Sequence, residues 1–319
     1  MAANVQQKTV LVTGGAGFIG SYLVHRLLKD GYGVAVLTKE TTDMRRIADV
    51  LPGITVLHDD LGNTKRLKKL LEGLHPYGIF HCAASNIKQG IAAPEDDLIS
   101  INFAGTVHLV QALQNFDYKF FINCGTYIEY GTKDDSLTES DSCEPGEIYA
   151  LTKLAATLYC QTIARNSGKP IITFRIFSPY GPQMEKGRLV EAVVHHALKN
   201  EDISLTSPEI ARDFIFIDDL VDLFMEAAEK ASAHAGEVFN AGGGKETMLK
   251  ELVERTLKLT ASKSKILWGS AKAVSYDKGC QRANMKKTLS AFLWRPAIDV
   301  EAGIKKMVEW FVSRDRMAK

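Results

Sequence analysis

Thr13-Gly-Gly-Ala-Gly-Phe-Ile-Gly20 is the stretch that decides the fold of this chain. It follows a short apolar run at residues 8–12, and apolar residues then recur at helical spacing as far as Gly31. The glycines fit G-x-G-x-x-G and also G-x-x-G-x-x-G, starting at Gly15 and Gly14 respectively. A strand, a glycine turn and a helix in this order predict a dinucleotide site, because the turn lets a pyrophosphate approach the helix N-terminus.

The alternation of strands and helices continues beyond this turn. Five further apolar runs are predicted as strands, at residues 34–37, 54–57, 78–82, 120–124 and 171–176. Helical patterns stand between them, at residues 67–74, 98–113 and 149–165. Strands that are apolar on both faces and alternate with helices predict a parallel sheet covered on both sides. After residue 177 the elements become shorter, with a predicted helix at 190–199, a strand at 214–217 and a helix to about 230, which indicates a second, smaller lobe.

The composition excludes several classes of protein. The chain has 319 residues, of which 45% are hydrophobic, and its net charge of +1 gives no basic surface for nucleic acid or membrane lipid. Its five cysteines are scattered without a CxxC pair, which argues against a zinc site or a disulfide framework and for a reducing compartment. There is no leader-like apolar segment near the start and no apolar run of membrane-spanning length. We therefore expect a cytoplasmic protein with no metal, no nucleic-acid partner and no membrane association.

The end of the second predicted strand reads Leu37-Thr38-Lys39, with Arg45 and Arg46 close behind. In dinucleotide-binding units an acidic residue at this place binds the ribose hydroxyls of NAD, whereas a nearby cation accommodates the 2′-phosphate of NADP. Because Thr38 carries no carboxylate and Lys39 is a cation, we expect NADP(H) to be favoured over NAD(H). The alternative is that Lys39 is an ordinary solvated loop lysine.

Tyr149 and Lys153 lie four residues apart on one predicted helix, so their side chains share a face. A lysine ammonium stabilises a phenolate and moves the pKa of a tyrosine toward neutral pH. Thr126 follows the fifth strand, at the carboxyl edge where such sheets bind ligands. The three residues predict proton transfer beside a dinucleotide, at a carbon that bears a hydroxyl or a carbonyl.

With these residues the chain resembles the extended short-chain dehydrogenase/reductases, the NAD-dependent epimerase/dehydratase family that modifies nucleotide sugars. The segments that carry the resemblance are Thr13 to Gly20, Asp60-Leu61, His81-Cys-Ala-Ala84, Asn102 to Thr106, Thr126 to Gly131, Tyr149 to Lys153, Arg175 to Pro182, Arg212 to Asp219, Phe239 to Gly243 and Trp294-Arg-Pro296. The resemblance implies an α/β fold with a Rossmann-type doubly wound parallel sheet and a smaller C-terminal α/β substrate domain. It places residues 1–177 and about 214–240 in the first domain, and 178–213 and about 241–319 in the second. It also implies a homodimer whose four-helix interface includes the Tyr149 helix.

The resemblance assigns a role to each matching residue. Thr126, Tyr149 and Lys153 would be catalytic, and Thr126, Ser178 and Arg212 would contact a sugar-nucleotide substrate. The implied cofactor contacts are Gly14, Gly17, Phe18, Ile19, Gly20, Thr38, Lys39, Asp60, Leu61, Ala83, Ala84 and Lys153. Asp60 has an alternative role as the N-cap of the next helix, Arg212 has one in a surface ion pair with Asp213, and Asn102 would brace the fourth helix. Lys278 and Arg282 are the candidates for a second contact to the substrate diphosphate.

Two departures from the family pattern restrict the reaction. Dehydratases of the family carry Asp-Glu directly after the catalytic threonine, where this chain has Tyr127 and Ile128, so the usual dehydration is not expected. Epimerases commonly have Asn in the place of Ser178. The first hypothesis is therefore an NADPH-dependent reductase of a keto sugar nucleotide of the 4-keto-6-deoxyhexose type, with hydride going to the carbonyl carbon and the proton coming from Tyr149. The alternatives are a nucleotide-sugar 4-epimerase with retained NAD and a non-catalytic NADP-binding redox sensor, which the intact Tyr149/Lys153 pair disfavours.

Overall fold

The computed structural model describes residues 7–85, 93–271 and 279–317, and the side chains as far as residue 314. The strands of these ranges are β1 (Thr9–Thr13), β2 (Gly33–Thr38), β3 (Thr55–His58), β4 (Gly78–His81), β5 (Phe121–Thr126), β6 (Ile171–Ile176), β7 (Ser178–Tyr180), β8 (Ile203–Leu205), β9 (Ala211–Phe216), β10 (Val238–Ala241), β11 (Glu246–Met248) and β12 (Ile266–Trp268). Seven of them form one sheet in the order β10-β6-β5-β4-β1-β2-β3. Each neighbouring pair in this sheet is parallel.

Helices cover both faces of this sheet. Those of the described residues are α1 (Phe18–Lys29), α2 (Thr64–Glu72), α3 (Glu95–Asp97), α4 (Gly105–Ala112), α5 (Ile148–Ser167), α6 (Leu189–Lys199), α7 (Ile217–Glu229), α8 (Leu249–Thr260), α9 (Lys286–Ala291) and α10 (Val300–Met317). Successive strand residues point to opposite faces, so Val10 and Val12 pack in a core with α1 and α7, whereas Leu11 packs in another with α2, α4 and α5. The predicted doubly wound parallel sheet of Rossmann type is confirmed.

Two small sheets lie outside the main one. β9 is central to a three-stranded sheet with β11 and β7, and β12 pairs with β8. Helices α6, α8 and α10 pack against one another beside these sheets. The strand predicted at 214–217 is thus β9, which ends at Phe216 because Ile217 already begins α7. The domain boundaries stay a prediction.

The helix predicted at residues 98–113 is not a uniform α-helix. Leu98–Ala104 forms a wider π-helical stretch, and only Gly105–Ala112 is regular α4. The Asn102 side chain reaches out of the wide part, toward Ser85 and Thr152. Such wide turns are frequent at functional sites, and this one lies next to the loop that leaves β4.

Within the described ranges, none of the helices is both long and apolar enough to cross a membrane. All five cysteines are free thiols, and the sulfur atoms of Cys82 and Cys124 lie 3.5 Å apart on neighbouring strands.

Candidate active site

The glycine-rich turn between β1 and α1 is shaped by contacts that only glycine permits. Gly14 has φ +67°, and a Cβ there would lie 2.7 Å from the amide nitrogen of Ala83. A Cβ at Gly20 would overlap the Gly14 carbonyl oxygen. Gly17 caps α1 without a side-chain hydrogen bond, and the first turn, which begins with Phe18 and Ile19, holds no acidic residue. The N-terminus of α1 therefore keeps its amides and its positive dipole end for an anion such as a pyrophosphate.

The cations that follow β2 are placed differently from one another. Thr38 is buried and Lys39 is exposed at the end of the strand. Arg45 forms an exposed ion pair with Asp43, at 3.3 Å. Arg46 turns away, toward backbone carbonyls of other segments. Lys39 is thus exposed at the end of β2, whereas Arg45 and Arg46 contact the partners named above.

The loop after β3 presents Asp60 and Leu61 to the same edge of the sheet. The exposed Asp60 carboxylate accepts a hydrogen bond from the Gly62 amide at 2.9 Å. The proposed N-cap role of Asp60 is wrong, because Asn63 caps α2 with its side-chain oxygen. Leu61 is buried with φ +63°, an uncommon conformation for a branched residue, and such backbone strain concentrates at functional sites.

His81 ends β4 in a hydrogen-bond chain that fixes its tautomer. Thr106 Oγ1 donates to the Asn102 carbonyl at 2.7 Å, so it accepts from His81 Nε2 at 2.9 Å. Nδ1 is then unprotonated and accepts from Thr13 Oγ1 at 2.7 Å. Thr13 in turn accepts from the amide of Ala83 at 3.3 Å. Each of these polar groups is paired while the imidazole is neutral. The hydrogen bonds also fix the backbone at Ala83, where, as at Ala84, a cofactor contact is expected.

Acid should destabilise the fold through His81. Burial, followed by the charge of Lys153, lowers the pKa of His81 from 6.5 to about 3. Between these values the unfolded chain binds a proton that the folded chain does not, so stability falls as the pH drops. From pH 7 to pH 5 this residue should cost about 2 kcal/mol of unfolding free energy. Urea unfolding of wild type and His81→Gln at both pH values measures it, and equal pH dependence in the two proteins would contradict the assignment.

The three catalytic candidates come from two neighbouring elements. Thr126 is the buried last residue of β5, and α5, which packs on β5 and β6, carries the half-buried Tyr149 and the buried Lys153. Besides burial, the positive charge of Lys153 contributes to lowering the pKa of His81, the last residue of β4.

Asn102 ties the catalytic helix to the loop after β4. Its Oδ1 accepts from the Ser85 amide at 2.8 Å, and its Nδ2 donates to the Ser85 carbonyl at 3.0 Å and to Thr152 Oγ1 at 3.2 Å. Thr152 lies next to Lys153 on α5. One side chain thus links the loop after β4 to α5, and the expected bracing of the fourth helix by Asn102 stays a prediction.

A buried ion pair beneath Thr126 was missed by the sequence analysis. Glu129 is fully buried, and its Oε1 accepts from the Thr126 amide at 2.9 Å and from Thr157 Oγ1 at 3.1 Å. Its Oε2 pairs with Arg175 Nε at 3.0 Å, and the Arg175 guanidinium lies 4.3 Å from the Tyr130 ring centre. The sequence did contain a signal for this ion pair, namely an arginine inside an apolar strand. A charge buried there requires a partner of opposite charge.

An aromatic side chain fills the place where dehydratases carry a carboxylate. Tyr127 is buried and stacks on Phe177, with ring centres 5.1 Å apart. Its hydroxyl donates to Gln281 Oε1 at 2.9 Å. Tyr127 and Ile128 line a cavity together with Glu144, Glu147, Cys280 and Gln281. The cavity lining therefore includes the two residues that follow Thr126, and neither of them carries a carboxylate.

The substrate-binding candidates lie on two neighbouring strands. Ser178 begins β7 opposite Phe214 of β9, and the half-buried Arg212 stands two residues earlier on β9. Asp213 points to the other face of that strand, and its carboxylate accepts from three backbone amides. Both observations argue against a surface ion pair between Arg212 and Asp213. Of the candidates for a second diphosphate contact, Lys278 lies outside the described residues, and Arg282 Nη2 lies 3.8 Å from Asp135.

Comparisons with known proteins agree with this geometry. UDP-glucuronate 4-epimerase 4 of Arabidopsis thaliana is 26% identical over 96% of this chain and 75% of its own length. CDP-abequose synthase of Salmonella muenchen is 24% identical over 94% of this chain and 97% of its own. Among solved structures, UDP-glucose 4-epimerase of Thermotoga maritima, bound to UDP-glucose, superimposes with a TM-score of 0.86 at 24% identity, covering 96% of this chain and 99% of that one.

A second solved structure is similar to the same extent. The Bacillus cereus UDP-glucuronic acid 4-epimerase, in complex with UDP-glucuronic acid and NAD, has a TM-score of 0.86 at 23% identity and covers 96% of this chain and 99% of that one. The model of the NAD dependent epimerase/dehydratase family matches residues 10–242. A match over this much of the chain, on a Rossmann-type sheet that carries the expected motifs, shows that the protein belongs to this family of extended short-chain dehydrogenase/reductase enzymes.

Proposed function

We propose that the protein is a nucleotide-sugar 4-epimerase that keeps its dinucleotide through the catalytic cycle. The observation that carries the proposal is the residue set around Thr126. The family's acid/base residues are present, whereas the buried Tyr127 and the half-buried Ile128 supply no carboxylate for dehydration. With dehydration excluded, the chemistry that these residues can support is oxidation and reduction at a single carbon of the sugar. The names of similar proteins support it, since several are 4-epimerases.

In the proposed reaction each residue has one task. Tyr149 removes the proton of the 4-hydroxyl, and the Lys153 ammonium stabilises the phenolate. Thr126 Oγ1 donates to the sugar oxygen that Tyr149 deprotonates. The bound dinucleotide supplies the hydride acceptor and donor. The keto sugar then rotates in the cavity, and Tyr149 returns the proton to the oxygen on the inverted carbon.

The test is turnover without added cofactor. Protein purified without dinucleotide in the buffers should contain bound dinucleotide and should interconvert 4-epimeric sugar nucleotides, which proton NMR distinguishes. Tyr149→Phe, carrying the same bound dinucleotide, is the matched control. Product formation that requires one equivalent of NADPH per sugar would instead support the second function.

That second function is an NADPH-dependent reductase of a keto sugar nucleotide of the 4-keto-6-deoxyhexose type. The observation that favours it is the end of β2, where Thr38 and Lys39 replace the acidic residue typical of NAD sites. Hydride would go to the carbonyl carbon, and Tyr149 would protonate the oxygen. This reaction uses the same Thr126/Tyr149/Lys153 set, so consumption of the cofactor separates the two functions.

For this second function we also propose that the site prefers NADP(H) over NAD(H), although the similar B. cereus enzyme was solved with NAD. Lys39 is exposed, and an exposed ion pair contributes about 1 kcal/mol, so we expect a preference of about tenfold or less. Lys39→Ala should abolish it. Calorimetric titration of both cofactors into dinucleotide-free wild type and Lys39→Ala measures the two affinities. Tighter binding of NAD by the wild type would overturn the preference.

For Arg212 we propose a contact to the substrate diphosphate, close to the sugar contact proposed for Ser178. Arg212→Ala should raise KM for the sugar nucleotide by about tenfold or more, the effect of losing a charged hydrogen bond. The affinity for the dinucleotide should stay unchanged. Steady-state kinetics with either substrate varied provides the comparison, and an unchanged KM for the sugar nucleotide would remove Arg212 from the site.

The proposed assembly is a homodimer built on α5. Leu151 and Leu158 are seven residues apart on this helix, with 49% and 52% of their surface exposed, and Ile99 of the adjacent π-helical stretch is 48% exposed. Large exposed apolar side chains on one face are typical of an interface. Light scattering should give twice the mass of one chain, and the mass of a single chain would contradict the proposal.

A further inference from the structure

We propose that Arg46 is a positioning residue that fastens residues 181–187 onto the glycine-rich turn and thereby slows release of the dinucleotide. The segment 181–187 follows β7 and is called the strap below. The inference rests on the proposed function in one respect, namely that a dinucleotide occupies the glycine-rich turn. It goes beyond that function because the family segment ends at Pro182 and gives Arg46 no contact with residues 183–187.

The Arg46 side chain joins three segments that are far apart in the sequence. Its Nε donates to the Gln183 carbonyl at 2.8 Å, and its Nη1 lies 3.4 Å from the carbonyl oxygen of Ala16, in the middle of the glycine-rich turn. Its Nη2 lies 3.5 Å from Glu185 Oε1, and only 10% of the side chain is exposed. A nearly buried guanidinium with contacts in three directions is held in place, unlike its neighbour Arg45 on the surface.

A second hydrogen bond holds the strap at the preceding residue. The hydroxyl of Tyr22, on α1, donates to the Pro182 carbonyl at 2.9 Å. Burial raises the pKa of Tyr22, so the phenol keeps its proton and remains a donor. Tyr22 and Arg46 thus donate hydrogen bonds to the consecutive carbonyls of Pro182 and Gln183.

The strap needs such contacts because its own backbone is not relaxed. Gln183 has φ +63°, a left-handed conformation that residues other than glycine rarely adopt. The same residue provides the carbonyl that Arg46 binds. When the Arg46 and Tyr22 hydrogen bonds are absent, Gln183 can return to an ordinary conformation, and the strap loses its fixed position.

The position of the strap connects it to cofactor release. Ala16 lies in the turn where a pyrophosphate is expected, and the strap continues from the strand that begins with Ser178. A segment held against this turn would obstruct a dinucleotide that is bound there. Loops of this kind set release rates in many enzymes, and slow release is what an epimerase that recycles its cofactor requires.

The experiment measures the rate of NADH release in the absence of any sugar nucleotide. NADH-loaded protein is mixed with excess NAD, and the loss of NADH fluorescence is followed by stopped flow. Arg46→Ala should release NADH about tenfold faster than wild type, and Tyr22→Phe should release it several-fold faster, since each loses hydrogen bonds to the strap. Arg46→Lys should not restore the rate, because an ammonium lacks the planar fork. Arg255→Ala, at an exposed arginine paired with Glu301, is the control and should release NADH at the wild-type rate.

Each outcome decides the proposal. Wild-type release rates in both Arg46→Ala and Tyr22→Phe overturn it, and so does a loss of stability in urea without faster release. If Arg46→Ala does not fold, the release rate of Tyr22→Phe decides the test. This variant removes only the hydroxyl group and keeps the aromatic ring in the fold. Fast release from wild type, with still faster release from the variants, would contradict cofactor retention by an epimerase but leave the role of Arg46 standing.

Discussion

Tyr149→Phe is expected to lower turnover by about a hundredfold or more, the usual contribution of a positioned acid or base. The phenylalanine ring fills the same space but has no hydroxyl to exchange a proton with the sugar oxygen. Lys153 and Thr126 remain in place, because their positions depend on α5 and β5 rather than on the phenol. The dinucleotide should therefore bind with nearly unchanged affinity.

The measurement is kcat with the sugar nucleotide, together with the dinucleotide content of the purified variant. Tyr159→Phe is a matched control, because Tyr159 lies on the same helix and its exchange removes the same atom away from the active site. Near-normal turnover in Tyr149→Phe would exclude the residue from proton transfer. A loss of bound dinucleotide would assign it a binding role instead.

Glu129→Ala is expected to lower the free energy of unfolding by about 3–5 kcal/mol, because it leaves the Arg175 charge buried without its partner. The Thr126 amide and the Thr157 hydroxyl lose their shared acceptor at the same time. Turnover should also fall, since the Thr126 backbone is no longer held at the end of β5.

Urea unfolding of two further variants tests this reasoning. Glu129→Gln/Arg175→Met removes both charges and should cost less than Glu129→Ala alone, because no unpaired charge is left in the core. Glu301→Ala breaks the exposed pair with Arg255 and should cost only about 0–1 kcal/mol. A loss below about 1 kcal/mol in Glu129→Ala would mean that water reaches Arg175.

Six of the seven strands of the main sheet were predicted from the sequence, whereas β10 was not, although it is buried. Five of the six, all but the edge strand β3, are buried along most of their length. Apolar runs of this type stand out, and those at 34–37 and 171–176 coincide with β2 and β6 to within one residue. The pairing of β9 was not readable, since a four-residue apolar run carries no information on which sheet it joins. The π-helical stretch at Leu98–Ala104 was also not foreseen, because apolar periodicity is too coarse to reveal one wider turn.

Site residues could be predicted from the sequence where a local motif identifies them. Those that depend on tertiary contacts could not. The glycines and the Tyr149/Lys153 pair follow from spacing alone. The partners of Arg175 and Arg46 lie 46 and 137 residues away along the chain, and no local pattern connects them. The Asp60 alternative failed for a local reason, because Asn63 also fits an N-cap and stands directly before α2.

The stacked rings of Tyr127 and Phe177 make it difficult for this chain to evolve dehydratase activity by a single substitution. An aspartate at position 127 would leave an empty space beside Phe177, and its carboxyl would face an aromatic ring in a buried setting that favours the neutral acid. The tyrosine hydroxyl's partner, Gln281, would lose its hydrogen bond as well. A carboxylate at position 127 would thus call for compensating replacements at positions 177 and 281, which lie 50 and 154 residues further along the chain.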